Sequence, residues 1–447
     1  MNPQAAHANS PVAEVARRAR LASRKLLRLH LSTRNQILHS VADCYQRSVS
    51  SILGANKLDC DRAEEMAGAG RMSPAMLSRL RLNEQGVADM AARLREVASL
   101  ADPLGRLLAT TELDERLVLY KETCPLGVVA VVFESRPDVV PQVASLALKS
   151  GNAILLKGGV EAAYTNETLV GLWRETLQEF TEVPMDSIQQ LHSRLDVMEL
   201  LRLDRDVDLL VPRGGREFVK FIARNSRIPV LGHGEGICHI YVDRAADLNK
   251  ALTITLDSKV QYPAACNAVE TLLVHAEVAP EVLPLLVTKL QEQGVEIRGC
   301  PRTLATLPPG QIVPACDEDW SMEYGDLILA VKIVDDLDAA LEHIQQYGST
   351  HTEAIVTEDE VAASRFLEEV DAAGVYHNAS TRFGDGYRYG LGSEVGVSTS
   401  KLHARGPMGL EGLTTYKYKL KGDGHTVASY CRGERKFRHR SSQGTKD

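Results

Sequence analysis

The chain has 447 residues, too many for one hydrophobic core, so two domains are expected. Its 44% hydrophobic and 25% charged residues are those of an ordinary globular protein, and a net charge of -8 argues against nucleic acid as the main partner. No apolar run approaches the roughly 20 residues of a membrane span. The eight cysteines lack CxxC or zinc-type spacing, which fits reduced thiols in the cytoplasm and no metal site.

The first 35 residues are Arg- and Ala-rich and poor in acids, slightly like an organellar transit peptide. Their apolar spacing continues smoothly through Ile37, Val41 and Tyr45, however, and predicts a first surface helix. Residues 11–100 read as helices, with apolar positions at three and four. From about residue 127 short Val/Ile/Leu runs take over: GVVAVVF, NAILLK, VDLLV, IPVLG and ICHIYV. Amphipathic stretches separate several of them, notably Glu161 to Phe180 and Glu217 to Asn225. Strands without polar alternation are buried on both faces, which predicts a parallel sheet covered by helices. The rhythm restarts at VETLLVH and runs through a helix from Pro280 to Gln293, LILAVKIV, a helix near 336–346, AIV, another helix and GVYHN. That is a second α/β domain, interrupted by loops at 299–326. GLTTYKYKL alternates like an edge strand, and the basic tail is expected to be disordered.

Three places carry chemistry. The polar knot Glu134, Ser135, Arg136, Pro137 and Asp138 ends the first strand and suits an anionic substrate. The strand Asn152 to Leu156 leads into Lys157-Gly158-Gly159, where a cation and two glycines let a backbone approach a phosphate. At Val211-Pro212-Arg213-Gly214-Gly215-Arg216 a buried strand ends in a glycine pair and opens a helix. That turn could hold a pyrophosphate, although it is neither GxGxxG nor a P-loop, and a plain connector explains it equally well. A second glycine-rich turn follows at Leu231 to Gly236.

Cys266, in Tyr-Pro-Ala-Ala-Cys-Asn, lies at a loop–strand junction among small residues and can reach a carbonyl. A lone cysteine is more often a buried filler, the reading given to Cys44, Cys60, Cys124 and Cys238. Cys431 reads as a bystander, and the loop residues Cys300 and Cys316 are rivals to Cys266. Thirteen dispersed histidines form no ligand cluster.

In this order the strand, the SRPD loop, GNAILLKGG, VPRGG, VLGHGEG and PAACNAVETLLVH resemble the gamma-glutamyl phosphate reductases of the aldehyde dehydrogenase superfamily. HTEAIVTED, HNASTRFGDGYRYGLGSEVGVSTSKLHARGP and GLEGLTTYKY extend the resemblance over roughly residues 10–425. It is similar above all to eukaryotic forms, without their kinase domain. The resemblance implies an aldehyde dehydrogenase-like fold: two α/β domains with parallel sheets plus a small oligomerisation β-hairpin. Residues 1–125 and 149–247 would bind NADP, 248–395 would be catalytic, 126–148 and 396–425 would form an oligomerisation flap, and 426–447 a disordered tail. The implied reaction is reduction of L-glutamyl 5-phosphate by NADPH to L-glutamate 5-semialdehyde and phosphate, with a separate glutamate 5-kinase supplying the substrate to a homo-oligomer.

The resemblance also assigns residues. Cys266 matches the nucleophile, with nearby backbone N–H groups as oxyanion donors. Lys157, followed by Gly158 and Gly159, matches the lysine that meets the adenosine ribose. Gly214, Gly215 and Arg216 match the pyrophosphate turn, and Glu323 the glutamate on the nicotinamide ribose. Val160, three positions after Lys157, is uncharged where NAD-selective relatives carry an acid, which implies NADPH as long as the adjacent Glu161 faces outward as the start of the following helix. Glu134, Ser135 and Arg136, with Asn378, Ser380 and Arg382, are candidates for the substrate's far end. Val230-Leu231-Gly232-His233 replaces the Glu-Leu-Gly-Gly of oxidising relatives, so no glutamate is there to activate water for thioester hydrolysis. A hydrolytic aldehyde dehydrogenase is the alternative that this departure disfavours.

Overall fold

A computed structural model of the chain describes residues 10–69, 72, 74–232 and 234–443. It comprises two compact units. The first contains the described residues up to Leu231, Leu391–Gly396 and those from Met408 on; the second contains Gly232–Gly390 and Val397–Pro407. None of the described helices is long and apolar enough to cross a membrane.

The first unit opens with five helices: α1 (Pro11–Leu26), α2 (Leu31–Arg47), α3 (Val49–Gly68), α4 (Pro74–Leu80) and α5 (Glu84–Ser99). Ser10 caps α1 by accepting the Ala13 N–H at 3.1 Å. The small residues Ala16, Ala19 and Ala22 recur every third position and are buried, so α1 lies close against its neighbours. From Ser10 on, the Arg/Ala-rich stretch is helical, but the helix ends at Leu26 and Ile37, Val41 and Tyr45 lie on α2; residues 1–9 lie outside the described residues.

The strands β3 (Val128–Phe133), β4 (Ala153–Lys157), β5 (Ile188–Gln190) and β6 (Leu209–Arg213) form a parallel sheet in the order β5-β4-β3-β6. α6 (Val139–Lys149) links β3 to β4, and α7 (Ala163–Leu177) links β4 to β5. α8 (Arg194–Leu200) precedes β6, and α9 (Arg216–Asn225) follows it. All six residues of β3 are buried between two neighbouring strands. Asp208 fixes the entry to β3. It accepts the Val128 N–H at 2.7 Å and pairs with Arg20 of α1 at 2.6 Å. Gly127 is required there, because a Cβ would stand 2.2 Å from Asp208 Oδ2 and φ is +129°.

β1 (Leu107–Asp114) and β2 (Leu117–Pro125) form the hairpin of a separate antiparallel sheet. The strand Thr414–Lys421 pairs with β2, and Arg440–Gln443 pairs with β1.

Three expected boundaries are corrected. Residues 126–148 are not a flap, because their fully buried strand is central to the parallel sheet. The dinucleotide unit does not extend to 247, since β7 (Cys238–Val242) joins the sheet of the second unit. The tail is ordered through 443: Val427–Cys431 is helical, and Arg435 and Arg438 pair with Asp114 at 3.0 and 3.4 Å. Basic residues that look solvated in sequence are satisfied here by an acidic hairpin. Residues 444–447 lie outside the described residues. The segment IPVLG, expected as a strand, makes only an isolated bridge through Val230 to Leu210.

The second unit is an α/β domain around β7, β8 (Val269–His275), β9 (Glu296–Gly299), β10 (Val313–Pro314), β11 (Ile328–Val334), β12 (Thr352–Val356) and β13 (Gly374–His377). Their order is β10-β9-β11-β8-β7-β12-β13, with every pair parallel. α10 (Leu248–Val260), α11 (Ala279–Glu292), α12 (Pro301–Thr306), α13 (Leu337–Tyr347) and α14 (Glu360–Glu369) connect them. Ile240, Leu272, Leu286 and Val331 belong to one apolar core, and Tyr241, Leu273 and Phe366 to another. Both faces of the sheet are therefore covered, which is why its strands read as continuous apolar runs.

Candidate active site

In the first unit, two βα turns of the parallel sheet gather phosphate-binding features. β4 ends at Lys157, which is only 9% exposed. Burial pushes its ammonium below the usual lysine range; Glu161, then Asp196 and Glu134, oppose that shift, and Arg194 adds to it. A Cβ on Gly158 would stand 2.0 Å from Asn166 Nδ2, and one on Gly159 the same distance from Glu161 Oε1. The buried amide of Asn166 has no hydrogen-bond partner among the described residues. β6 ends in Gly214 and Gly215, and Gly215 is the N-cap of α9, a helix of ten residues. A Cβ on Gly214 would meet Glu134 Oε2 at 2.6 Å, while Gly215 has open space around it. The bare turn, the helix N-terminus and a buried lysine fit a dinucleotide's phosphates. The side chain of Arg216 lies outside the described residues.

Glu134 and Ser135 join this turn cluster. Glu134 Oε2 accepts the Gly215 N–H at 3.3 Å. Ser135 donates both its N–H, at 2.6 Å, and its hydroxyl, at 2.8 Å, to Glu161 Oε1. Arg136 is half-buried at the start of α6.

In the second unit, Cys266 sits between α10 and β8, half-buried. The turn before it closes by Ala265 N–H to Tyr262 C=O at 3.2 Å, and Ala268 N–H returns to Ala265 C=O at 2.9 Å. The thiol of Cys238 donates to the Cys266 carbonyl at 3.3 Å. Gly236 packs against that same carbonyl, because a Cβ there would lie 2.0 Å from the oxygen.

Asn267 braces the next position. Its Nδ2 donates to Gly384 C=O at 2.9 Å, and its Oδ1 accepts from Arg382 Nη1. Arg382 also donates from Nε to Gln261 at 2.9 Å and lies over the Tyr262 ring, 5.8 Å from its centre. Burial lowers the pKa of this guanidinium and Arg388 lowers it further; the Cys266 sulfur opposes them, ahead of Asp385 and Asp257. A buried cation therefore interacts by charge with the Cys266 thiol.

Asn378 and Ser380 act as loop ties. Asn378, at φ +52°, accepts the Thr357 N–H at 3.1 Å and returns a bond to Thr357 C=O at 2.9 Å. Ser380 bonds Ser258 at 3.0 Å and accepts the Arg382 N–H at 3.2 Å. Glu323 is half-buried just before β11 and acts by charge on Glu270 of β8. Glu270 pairs with Lys259 of α10 at 2.6 Å, and both side chains are fully buried. The rivals to Cys266 are committed elsewhere: Cys300 is buried and bonds Thr303 at 3.3 Å, and Cys316 bonds Asp319 at 3.1 Å. His233 lies outside the described residues, and no described group of His, Cys, Asp or Glu could hold a metal.

Sequence reading missed Gly236, Gln261 and Asn267, while Glu161, expected to face outward as the start of a helix, instead accepts both Ser135 donors. The third glycine of VLGHGEG and the Asn after Cys266 were visible, but only the fold shows what each touches.

Two α/β units with parallel sheets, one carrying a lysine–glycine turn and the other a half-buried loop thiol, have the architecture of an aldehyde dehydrogenase. Residues 3–298 match the sequence model of the aldehyde dehydrogenase family. The gamma-glutamyl phosphate reductase of Synechococcus sp. (strain JA-3-3Ab) is 53% identical over 444 residues, 99% of this chain and 97% of that protein. The crystal structure of gamma-glutamyl phosphate reductase from Thermotoga maritima superposes with a TM-score of 0.89 at 40% identity, over 93% of this chain and 100% of that one. The corresponding Saccharomyces cerevisiae structure gives 0.52 at 35% identity, over 94% and 99%. The chain belongs to the aldehyde dehydrogenase family and, within it, to the gamma-glutamyl phosphate reductases. The Synechococcus and Thermotoga relatives share more identity with the chain than the yeast enzyme does.

Proposed function

We infer that the chain reduces L-glutamyl 5-phosphate to L-glutamate 5-semialdehyde, releasing phosphate, in proline biosynthesis. Cys266 attacks the acyl carbon as thiolate and the C–O bond to phosphate breaks, leaving a thioester. The dinucleotide supplies the hydride that reduces this thioester. The resulting hemithioacetal collapses to the aldehyde and returns the thiolate. What carries the reading is the setting of Cys266: a turn fixed by Gly236 and Asn267, with buried Arg382 supplying positive potential.

Lys157, Gly158, Gly159, Gly214 and Gly215 would hold the dinucleotide, and Glu323 would meet its nicotinamide ribose. NADPH is the preferred form, because Val160 offers no carboxylate three positions after Lys157 and the neighbouring Glu161 is held by both Ser135 donors. Arg136 suits an anionic group of the substrate. The ties made by Ser135, Asn378 and Ser380 support positioning roles for those residues. A separate glutamate 5-kinase would supply the acyl phosphate in the cytoplasm. The strand Thr414–Lys421, an exposed sheet edge, would form the contact of a homo-oligomer.

Hydrolysis is disfavoured because Val230 cannot activate water. The reaction run backwards tests this: pyrroline-5-carboxylate, which opens to the semialdehyde, is offered with NADP+ with and without phosphate. NADPH formation that needs phosphate is expected; sustained formation without it would establish the hydrolytic alternative.

A further inference from the structure

The fold surrounds Lys157 with more acid than base. Beside the effect of burial, Glu161, Asp196 and Glu134 act on its ammonium, and Arg194 acts against them. A lysine meeting a 2′-phosphate is weakened by such company, since each carboxylate repels the group that the lysine attracts. Glu161 is the strongest of the three. It sits on the short 3-10 turn Val160–Ala162 and does not point away from the sheet as a helix-start acid would. It folds back over Gly159, and both Ser135 donors converge on its Oε1. Ser135 is 3% exposed and has φ +41°. That left-handed backbone is disfavoured for a non-glycine residue. A strained, buried serine thus spends both donors on one carboxylate oxygen.

We propose that Glu161, held beside Lys157 by Ser135, sets the preference between 2′-phosphorylated and unphosphorylated dinucleotides. The held carboxylate tempers the pull of Lys157 on a 2′-phosphate. Ser135 stops it from advancing onto the adenosine ribose, where it would bond the 2′-hydroxyl and exclude the phosphate. Substitutions at the two residues then shift the preference in opposite directions. Glu161→Gln keeps the shape and an acceptor for Ser135 but removes the charge, and favours the 2′-phosphate. Ser135→Ala removes the hydroxyl donor, loosens the carboxylate and favours the free ribose. Because Ser135 acts through Glu161, the double variant follows Glu161→Gln.

This inference rests on Lys157 meeting the adenosine ribose. Calorimetric titration of the full chain with NADP+, NAD+, 2′,5′-ADP and 5′-AMP tests it without turnover. The NADP+ to NAD+ affinity ratio should rise about tenfold in Glu161→Gln, the worth of one charge-assisted contact. It should fall in Ser135→Ala, and the 2′,5′-ADP and 5′-AMP pair should repeat both shifts. An unchanged ratio in either single variant, or a double variant that follows Ser135→Ala, overturns the proposal. A wild-type chain that binds neither dinucleotide overturns the cofactor reading itself and this inference with it.

Discussion

Gly236 lies against the backbone of Cys266, with its missing Cβ position 2.0 Å from the Cys266 carbonyl oxygen and 2.7 Å from its Cα. The main chain at Cys266, the proposed nucleophile, is therefore placed by a residue 30 positions earlier in the sequence. No side chain fits between them.

Gly236→Ala should displace the Cys266 turn. A shift of about 1 Å at a reacting group costs on the order of 100-fold in rate. Overpacking by one methyl should cost about 1–3 kcal/mol of stability. NADP+ affinity, proposed to rest on Lys157 and the glycine turns, should be unchanged by calorimetry. A variant with wild-type kcat would show that this contact does not place the thiol.

Arg382 should hold the Cys266 thiolate by charge. The charged and titratable groups around this pair are Arg388, Asp385, Asp257 and Cys238. An opposite charge close by lowers an acid's pKa by about 1–3 units. The pH midpoint for iodoacetamide alkylation of Cys266 should therefore rise by about one unit in Arg382→Met and less in Arg382→Lys. Identical midpoints in all three proteins would assign Arg382 a purely structural role.

The buried Lys259–Glu270 pair gives a pH-dependent stability prediction. Burial pushes the Glu270 carboxyl from 4.5 up to about 7, against the pull of Lys259. With a raised folded pKa, the native state binds more protons than the unfolded chain between those values, so stability falls as pH rises through that window. Lys259→Met leaves the carboxyl unpaired, raises its pKa further and should cost about 3–5 kcal/mol near neutral pH. Urea denaturation should show a smaller loss at pH 5 than at pH 8. Lys259→Met with Glu270→Leu should recover most of the stability; a double variant as unstable as the single one would refute this account.

The edge strand Thr414–Lys421 presents Tyr416, Tyr418 and Leu420, which are 48%, 59% and 57% exposed and share one face by their spacing. Charges there should break the oligomer. Light scattering of Tyr418→Lys with Leu420→Lys should give the monomer mass while the circular dichroism spectrum is retained. An unchanged mass would remove this strand from the interface.

The apolar runs made the parallel strands legible, because strands covered on both faces carry no polar alternation. VETLLVH and LILAVKIV became β8 and β11 in this way. The hairpin of β1 and β2 was not located from the residues, since most of its side chains are only half-buried and its charges blur any period. The ordered tail was hidden for a different reason: its arginines find Asp114 more than 300 residues away in the chain. At the site, Cys266 and Lys157 stood out by motif. Glu161 was visible as the neighbour of that position but its direction was not, because a glutamate opening a helix ordinarily faces solvent, whereas here both Ser135 donors bond it.

Trapping the acyl group on Cys266 tests the central claim most directly. The chain is incubated with pyrroline-5-carboxylate and NADP+ in phosphate-free buffer, quenched in acid and measured as intact protein and as peptides by mass spectrometry. A mass increase of one glutamyl group on the Cys266 peptide is predicted, lost on adding phosphate and absent from Cys266→Ala. NADPH formed by the wild type with no acyl group on any cysteine, or equal turnover by Cys266→Ala, would contradict the thioester mechanism.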